Sequence, residues 1–277
     1  MKQRVISAVV MIAILLSCML ISDISRVLLF AACAVLACHE MKNALRKLDC
    51  NIRIWSVYAG IAGTLAAFLI GLDKARGYAY PVFMILMLGI FSEMVITQKF
   101  TVKDVFATFG VYAYPLSPLI LVMYISIATR PMADGGTIYI WPAVFINSIL
   151  PCVVSDSFAL FGGKAFGKHK LSPTISPKKT VEGLICGLVM GTLSGLLAYG
   201  ILVWTGLGLI PLWAVVLSAL AASISGAIGD LAASSVKRAA GIKDYSNLIP
   251  GHGGIMDGID SELFAIPIVY MIYALFI

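Results

Sequence analysis

The chain has 277 residues, of which 60% are hydrophobic and 12% are charged, and its mean hydropathy is +0.98. This number of charged residues is too small to cover the surface of a soluble globular protein of this size. The composition therefore excludes that class and predicts a membrane protein. The formal charge of +6 does not indicate nucleic-acid binding, because the Lys and Arg residues lie in short runs between apolar segments.

Apolar segments long enough to cross a bilayer recur along the whole chain. A crossing helix needs about 20 mostly apolar residues. Nine segments meet or nearly meet this requirement: 5–22, 26–40, 54–72, 78–97, 105–128, 138–162, 184–204, 210–229 and 263–277. The first resembles a signal peptide but lacks an evident cleavage site, so we expect an uncleaved helix. The sequence predicts an all-α, polytopic membrane protein with about nine transmembrane helices.

The distribution of positive charge predicts the orientation of these helices. If the N-terminus is cytosolic, every Lys and Arg lies on the cytosolic side except Arg26, Lys74, Arg76 and Arg130. Cytosolic loops are enriched in Lys and Arg, so we expect a cytosolic N-terminus and an external C-terminus. We divide the chain into N-terminal transmembrane helices (1–135) and a C-terminal catalytic region (136–277), with cytosolic loops at 162–183 and 230–262.

The first polar segment that interrupts the apolar pattern is 155–183. Ser176, Lys178, Lys179 and Thr180 offer hydroxyl and ammonium groups that suit a polyphosphate. The alternative is that the two lysines only set the topology or contact anionic lipids. Residues 162–169 nearly match a P-loop, but His169 replaces the required Ser or Thr, and an apolar span precedes the segment.

The second polar segment, 229–260, carries acids at the edges of apolar spans. Asp230, Ser234 and Lys237 share one face if the preceding helix continues past Gly229. Asp257 and Asp260 are three residues apart and could face the same way on a helical turn, as an oxygen site for Mg²⁺. The alternative is that the acids pair with nearby cations to hold a loop; these cations are Lys237, Arg238 and Lys243.

Glycines surround the one histidine of this second segment. Gly251, Gly253 and Gly254 remove side chains beside His252, which allows backbone N–H groups to approach phosphate oxygens. The acids Glu40, Glu93 and Asp156, inside or beside apolar spans, receive no role from the sequence.

From residue 156 to residue 260 the chain resembles the phosphatidate cytidylyltransferases, also called CDP-diacylglycerol synthases. Their signature reads S-x-[aliphatic]-K-R-x4-K-D, then H-G-G-[aliphatic]-x-D-R-x-D. The matching residues here are Ser234-Ser235-Val236-Lys237-Arg238, Lys243-Asp244 and His252-Gly253-Gly254-Ile255-Met256-Asp257-Gly258-Ile259-Asp260. One departure removes a cation, because Gly258 stands where the family usually has Arg.

The resemblance implies that CTP and phosphatidate are converted to CDP-diacylglycerol and pyrophosphate, with Mg²⁺ and a second cation. It implies catalytic roles for Asp230, Asp257, Asp260 and Lys237, the three acids being the metal ligands. The residues expected to bind the nucleotide and its phosphates are Ser176, Lys178, Lys179, Lys237, Arg238, Lys243, His252, Gly253 and Gly254. The expected setting is the bacterial inner membrane, with the active site facing the cytosol. The expected partners are CTP, phosphatidate and the lipid bilayer, with no nucleic acid; a homodimer stays open.

Two other functions fit the same pattern. A CTP-dependent polyprenol or phytol kinase also uses membrane helices and acids that bind a nucleotide. A transporter also carries intramembrane acids, although seven of the 14 acids here cluster between Asp156 and Glu262, away from a midplane site.

Overall fold

The computed structural model describes the backbone of residues 2–98, 100–131 and 136–276. The side chains of 2–6, 8, 69–70 and 72–83 lie outside the description as well. Of the residues used in the topology prediction, Lys99, the predicted end at Ile277 and the side chains of Lys2, Arg4, Lys74 and Arg76 are therefore outside the described residues.

The described chain is mostly helical. The first six helices are α1 (Lys2–Ile21), α2 (Asp23–Arg46), α3 (Ile54–Ile70), α4 (Leu72–Thr97), α5 (Val102–Val111) and α6 (Ser117–Ile127), the last two joined by a π-helical turn (Tyr112–Leu116). They are followed by strands β1 (Thr129–Pro131) and β2 (Thr137–Tyr139), helix α7 (Trp141–Phe166), and strands β3 (Lys170–Ser172) and β4 (Ser176–Thr180). The chain ends with α8 (Val181–Trp204), α9 (Leu212–Ala239), the short α10 (Ile255–Ile259) and α11 (Glu262–Ala274).

The chain divides into two compact units. The first unit comprises Met1–Tyr124 and Ala239–Gly258, and the second comprises Ile125–Arg238 and Ile259–Ile277. The loop after α9 and the start of α10 thus belong to the first unit, together with the N-terminal helices.

Side-chain caps set the helix boundaries of the first unit. Ser22 and Ser25 form a reciprocal capping box that begins α2, and Thr101 and Asp104 form another that begins α5. Asp104 also accepts a hydrogen bond of 2.5 Å from the backbone N–H of Asn51, which fixes the connection after α2 to the start of α5.

Close helix packing through small residues defines the second unit. Helix α8 carries Gly183, Gly187, Gly191 and Gly195 at intervals of four residues. A Cβ at Gly187 would lie 2.7 Å from the Ser155 carbonyl oxygen of α7, and a Cβ at Gly195 would lie 2.8 Å from the Cβ of Ala219 on α9. The backbones approach this closely because the glycines have no side chains, as in membrane helix pairs.

Five helical segments in the described part of the chain are long and apolar enough to cross a membrane. They are Asp23–Arg46, Val102–Ile127, Trp141–Phe166, Val181–Trp204 and Leu212–Ala239. Shorter apolar helices lie at Val9–Ile21, Ile54–Phe68 and Met84–Thr97. A membrane protein is thus supported, while the count of nine spans and the orientation of the termini remain predictions.

The structure corrects the all-α prediction at two places. Strands β1 and β2 form one antiparallel hairpin, and β3 and β4 form another, which pairs Lys170 with Thr180 and Ser172 with Ser176. Prolines and β-branched residues in these short polar stretches disfavour helix, and the hydropathy pattern gives no signal for so short a pair of strands.

Several helices run further than the apolar segments that predict them. Helix α7 continues to Phe166, beyond the predicted end at 162, and α9 continues to Ala239, beyond 229. Helix α2 reaches Arg46 rather than 40. A polar or charged residue ends an apolar segment in the sequence, but it does not have to end the helix. Lys, Arg and Ala are good helix formers, so the helix continues through them. The continuation of the helix past Gly229 is therefore confirmed.

Candidate active site

The polar end of α9 presents Asp230, Ser234 and Lys237 on one helical face, as their spacing predicts. The Ser234 hydroxyl donates to Oδ1 of Asp230 at 3.4 Å, one turn away. Lys237 lies a further turn along and is only 8% exposed. A buried ammonium group is stable only when negative charge lies nearby. This face of α9 therefore places acidic and basic side chains close together.

The β3–β4 hairpin lies against this face of α9. Lys179 of β4 forms an ion pair with Oδ2 of Asp230. Nε of Arg238 donates to the carbonyl of Ile175 at 3.3 Å. At the end of β4, Thr180 caps α8 by accepting from the N–H of Gly183 at 3.1 Å. The hairpin is thus held on α9 and positions Lys179, while Lys178 beside it is exposed.

The ion pair between Lys179 and Asp230 bears on the alternative that the acids only pair with nearby cations to hold a loop. That alternative pairs the acids with cations of their own segment, Lys237, Arg238 and Lys243. Asp230 is instead paired with Lys179, which lies 51 residues away in the chain. The structure therefore joins a predicted metal ligand to a predicted phosphate-binding lysine.

Asp260 is buried just before α11. It is 8% exposed, and burial together with the charge of Asp230 raises the pKa of its carboxyl to about 7, while Lys237 acts in the opposite direction. Burial is the main cause, and the charges of Asp230 and Glu262 add to it, so a cation that binds here would relieve electrostatic repulsion.

Two further acids of the second unit belong to the same electrostatic group. Asp156 on α7 interacts with both Lys179 and Asp230, and Glu262 on α11 interacts with Asp156 and Asp260. The sequence assigned no role to Asp156 and did not single out Glu262. Their costly placement at apolar helices was the available signal.

In the first unit, the loop between α9 and α10 fixes Asp257. Its Oδ2 accepts from the backbone N–H of Tyr245 at 2.7 Å and from that of Gly254 at 2.9 Å. The loop closes between Ile249 and Gly253, where the N–H of Ile249 donates to the Gly253 carbonyl at 2.7 Å. Gly253 has φ +95°, a conformation that glycine adopts without strain.

A residue without a predicted role holds the other side of this loop. Glu40 of α2 is 5% exposed, and its carboxylate accepts from the Ser246 hydroxyl at 2.6 Å. It also accepts from the N–H groups of Ile255 at 3.1 Å and Met256 at 2.8 Å. No motif in the sequence connects Glu40 with a segment more than 200 residues later.

Lys243, a predicted phosphate-binding residue, lines a polar pocket of about 350 Å³ in the first unit. Asn43 and Lys47 of α2 line one part of it, and Ser246 and Asn247 line another. Asp244 lines it as well, so the pocket brings two lysines, two amides and one carboxylate together and offers hydrogen-bonding groups of both charges.

The predicted site residues are distributed over both units. The second unit holds Ser176, Lys178, Lys179, Asp230, Lys237, Arg238 and Asp260, and the first holds Lys243, His252, Gly253, Gly254 and Asp257. His252 is exposed, and Gly253 and Gly254 are buried. The grouping of Asp230 with Asp257 remains a prediction.

The donor atoms suit a hard cation. Asp230 and Asp260 bring carboxylate oxygens, the preferred ligands of Mg²⁺, into electrostatic range of each other. Among the residues that the structure describes, no three His, Cys, Asp or Glu side chains already converge on one metal position. The chemistry of the acids fits Mg²⁺, and ligation by all three predicted acids remains a prediction.

Comparison with known proteins decides the family. The sequence profile of the Cytidylyltransferase family matches residues 2–276. The chain therefore belongs to the cytidylyltransferase family. The match extends the resemblance seen over 156–260 to nearly the whole chain, so the N-terminal helices are also part of the family fold.

Relatives of this cytidylyltransferase-family chain match it from end to end. The phosphatidate cytidylyltransferase of Bacillus subtilis is 31% identical over 287 residues, which covers 100% of this chain and 98% of the relative. The enzyme of the same name from Haemophilus influenzae is 30% identical, with 99% and 98% covered. That of Staphylococcus haemolyticus is 30% identical, with 97% of each chain covered. The family predicted from the two polar segments is confirmed.

Proposed function

We propose that this integral membrane protein is a phosphatidate cytidylyltransferase, which converts CTP and phosphatidate to CDP-diacylglycerol and pyrophosphate in phospholipid biosynthesis. The observation that carries the proposal is the similarity to relatives of that name, which covers at least 99% of this chain and 98% of each relative. The lysines and acids on β4 and α9 are the chemistry that such a transfer needs.

The reaction is a displacement at the α-phosphorus of CTP. An oxygen of the phosphatidate phosphate forms the new P–O bond, the bond from the α-phosphorus to the bridging oxygen breaks, and pyrophosphate leaves with the electron pair. The phosphate monoester is already anionic at neutral pH, so a strong general base is unnecessary. Catalysis then consists mainly of positioning and of neutralising charge.

The basic residues assigned to the site would bind the phosphates of the two substrates. Lys179 is held by Asp230 and Lys237 is buried near Asp260, so both ammonium groups have fixed positions. Fixed cations cost no reorganisation during the reaction. The residues assigned to phosphate and nucleotide binding are Ser176, Lys178, Lys179, Lys237, Arg238, Lys243, His252, Gly253 and Gly254.

Asp230, Asp257 and Asp260 would hold Mg²⁺ and a second cation. When bound, Mg²⁺ supplies positive charge to the triphosphate and the leaving pyrophosphate. Asp230 keeps its charge balanced by Lys179, and two backbone N–H groups orient Asp257.

The location proposed for the enzyme is the bacterial inner membrane, with the active site on the cytosolic side. CTP is soluble and phosphatidate is a membrane lipid, so the site must be reached from the cytosol and from the inner leaflet. The concentration of Lys and Arg in the segments that carry the site supports this orientation.

A substrate comparison tests the proposal. Purified protein is incubated with Mg²⁺, CTP and either phosphatidate or a polyprenol in detergent micelles. We expect a CDP-lipid and pyrophosphate with phosphatidate and no product with the polyprenol. Release of CDP with a phosphorylated polyprenol would favour the kinase instead, and solute uptake by proteoliposomes without CTP turnover would favour a transporter.

A further inference from the structure

The Glu40 carboxylate is a buried acid that the proposed mechanism does not use. It lies on α2, inside a helix long and apolar enough to cross a membrane, and is 5% exposed. A carboxylate at such a place is costly unless donors satisfy it. Three donors from one segment bind it: the Ser246 hydroxyl and the N–H groups of Ile255 and Met256.

This segment leads directly to a predicted metal ligand. Ile255 and Met256 immediately precede Asp257, and both N–H groups bind Glu40. The Asp257 carboxylate in turn accepts from Gly254 and Tyr245 on the same loop. Glu40 and Asp257 thus fix the loop through separate sets of donors, and loss of the Glu40 set would release the backbone that carries Asp257.

The space around Gly254 gives separate evidence for the contact between Glu40 and the loop. A Cβ at this position would lie 2.5 Å from the carboxyl carbon of Glu40 and 2.5 Å from its Oε2. The φ of Gly254 is not in the left-handed region, unlike that of Gly253. Glycine is therefore needed at 254 because the Glu40 carboxylate occupies the side-chain space.

We propose that Glu40 is a positioning residue of the active site: it holds the segment 246–256 and thereby places Asp257 for metal binding. Its carboxylate contacts the backbone of the loop, and it acts through that backbone. The inference rests on the proposed function only where it concerns turnover, because the contact itself can be measured without substrates.

The first test is kinetic. Glu40→Gln keeps the size of the side chain but places an NH₂ group against a backbone donor, and Gly254→Ala pushes the carboxylate from its place. Because a shift of about 1 Å at a catalytic group can cost about 100-fold, we expect each variant to lower kcat at least about 10-fold. We also expect the half-saturating Mg²⁺ concentration to rise, which a purely structural loss of folded enzyme would not cause.

A double variant separates a direct contact from general damage. Once Glu40→Ala has removed the carboxylate, Gly254→Ala meets no obstacle, so the double variant should be within about 2-fold of Glu40→Ala alone. If Glu40→Ala does not fold, the same cycle is run with Glu40→Ser, which also removes the carboxylate. Matched controls are Glu93→Gln, an acid whose partner is Arg53 at 2.7 Å, and Gly110→Ala, which has no atom within 4 Å of the added Cβ. Both should keep kcat near that of the unmodified enzyme.

The second test is hydrogen exchange of the substrate-free protein in detergent. In Glu40→Gln and Glu40→Ala, the peptide that contains Ile255 and Met256 should exchange at least about 10-fold faster, with other peptides unchanged. The proposal would be overturned if hydrogen exchange in this peptide were unchanged, or if Glu40→Gln kept the kcat of the unmodified enzyme. It would also be overturned if the losses of kcat caused by the two single substitutions multiplied in the double variant. If the unmodified protein makes no CDP-diacylglycerol, the proposed function fails, and the exchange result still decides the role of Glu40 in the loop.

Discussion

Replacing Gly253 by Ala should displace one predicted metal ligand, Asp257, by a distance that can be worked out from the structure. The added Cβ would lie 2.7 Å from Oδ2 of Asp257, whereas ordinary contacts begin at 3.4 Å. The carboxylate must therefore move by about 0.7 Å, and a displacement of this order at a catalytic group costs up to about 100-fold in rate. The φ of +95° adds backbone strain of about 1–2 kcal/mol for a residue with a side chain.

The assay is the initial rate of CDP-diacylglycerol formation at saturating CTP, phosphatidate and Mg²⁺, with the thermal unfolding midpoint measured in parallel. We expect kcat of Gly253→Ala to fall about 10- to 100-fold. Gly241→Ala is the matched control, because its φ is +65° and no atom lies within 4 Å of the added Cβ. This substitution introduces backbone strain without moving Asp257. If both variants lose stability alike and keep the same kcat, the assignment of Asp257 to the active site is refuted.

Four further substitutions test residues of the site. Asp257→Asn should abolish turnover while membrane insertion, followed by fractionation, stays intact; wild-type turnover would remove this residue from the metal site. Gly258→Arg, which restores the cation usual in the family, should be tolerated or activating, because nothing lies within 4 Å of a Cβ there; loss of activity would show that the backbone needs glycine. Lys179→Ala should lower kcat/KM for CTP at least about 10-fold, because it removes a proposed phosphate-binding group and leaves Asp230 without its ion pair. Lys178→Ala, at an exposed neighbour, should have the smaller effect, and equal effects would contradict a special role for Lys179.

Composition and periodicity predicted the membrane helices because the bilayer imposes a length and an apolar content on each one. They could not predict where those helices end, because polar and charged residues can continue a helix. Helix α9 continues through Asp230, Ser234 and Lys237 after its apolar residues stop, and the β3–β4 hairpin contains no apolar pattern at all.

The site could be predicted to the extent that its residues stand together in the sequence. The spacing of Asp230, Ser234 and Lys237 was sufficient to place them on one helical face. The contact of Lys179 with Asp230 and that of Glu40 with the segment 246–256 join distant parts of the chain. Such contacts are set by tertiary packing, for which one sequence carries no periodic signal, so Glu40 received no role until the structure showed its partners.

The position of isotopic label in the products tests the central claim most directly. Purified protein is given Mg²⁺, phosphatidate and CTP labelled either at the α-phosphorus or at the γ-phosphorus. A cytidylyltransferase transfers the α-label to the lipid and releases the γ-label as pyrophosphate, in equal amounts. Transfer of the γ-label to a lipid, with the α-label released in CDP, would contradict the account.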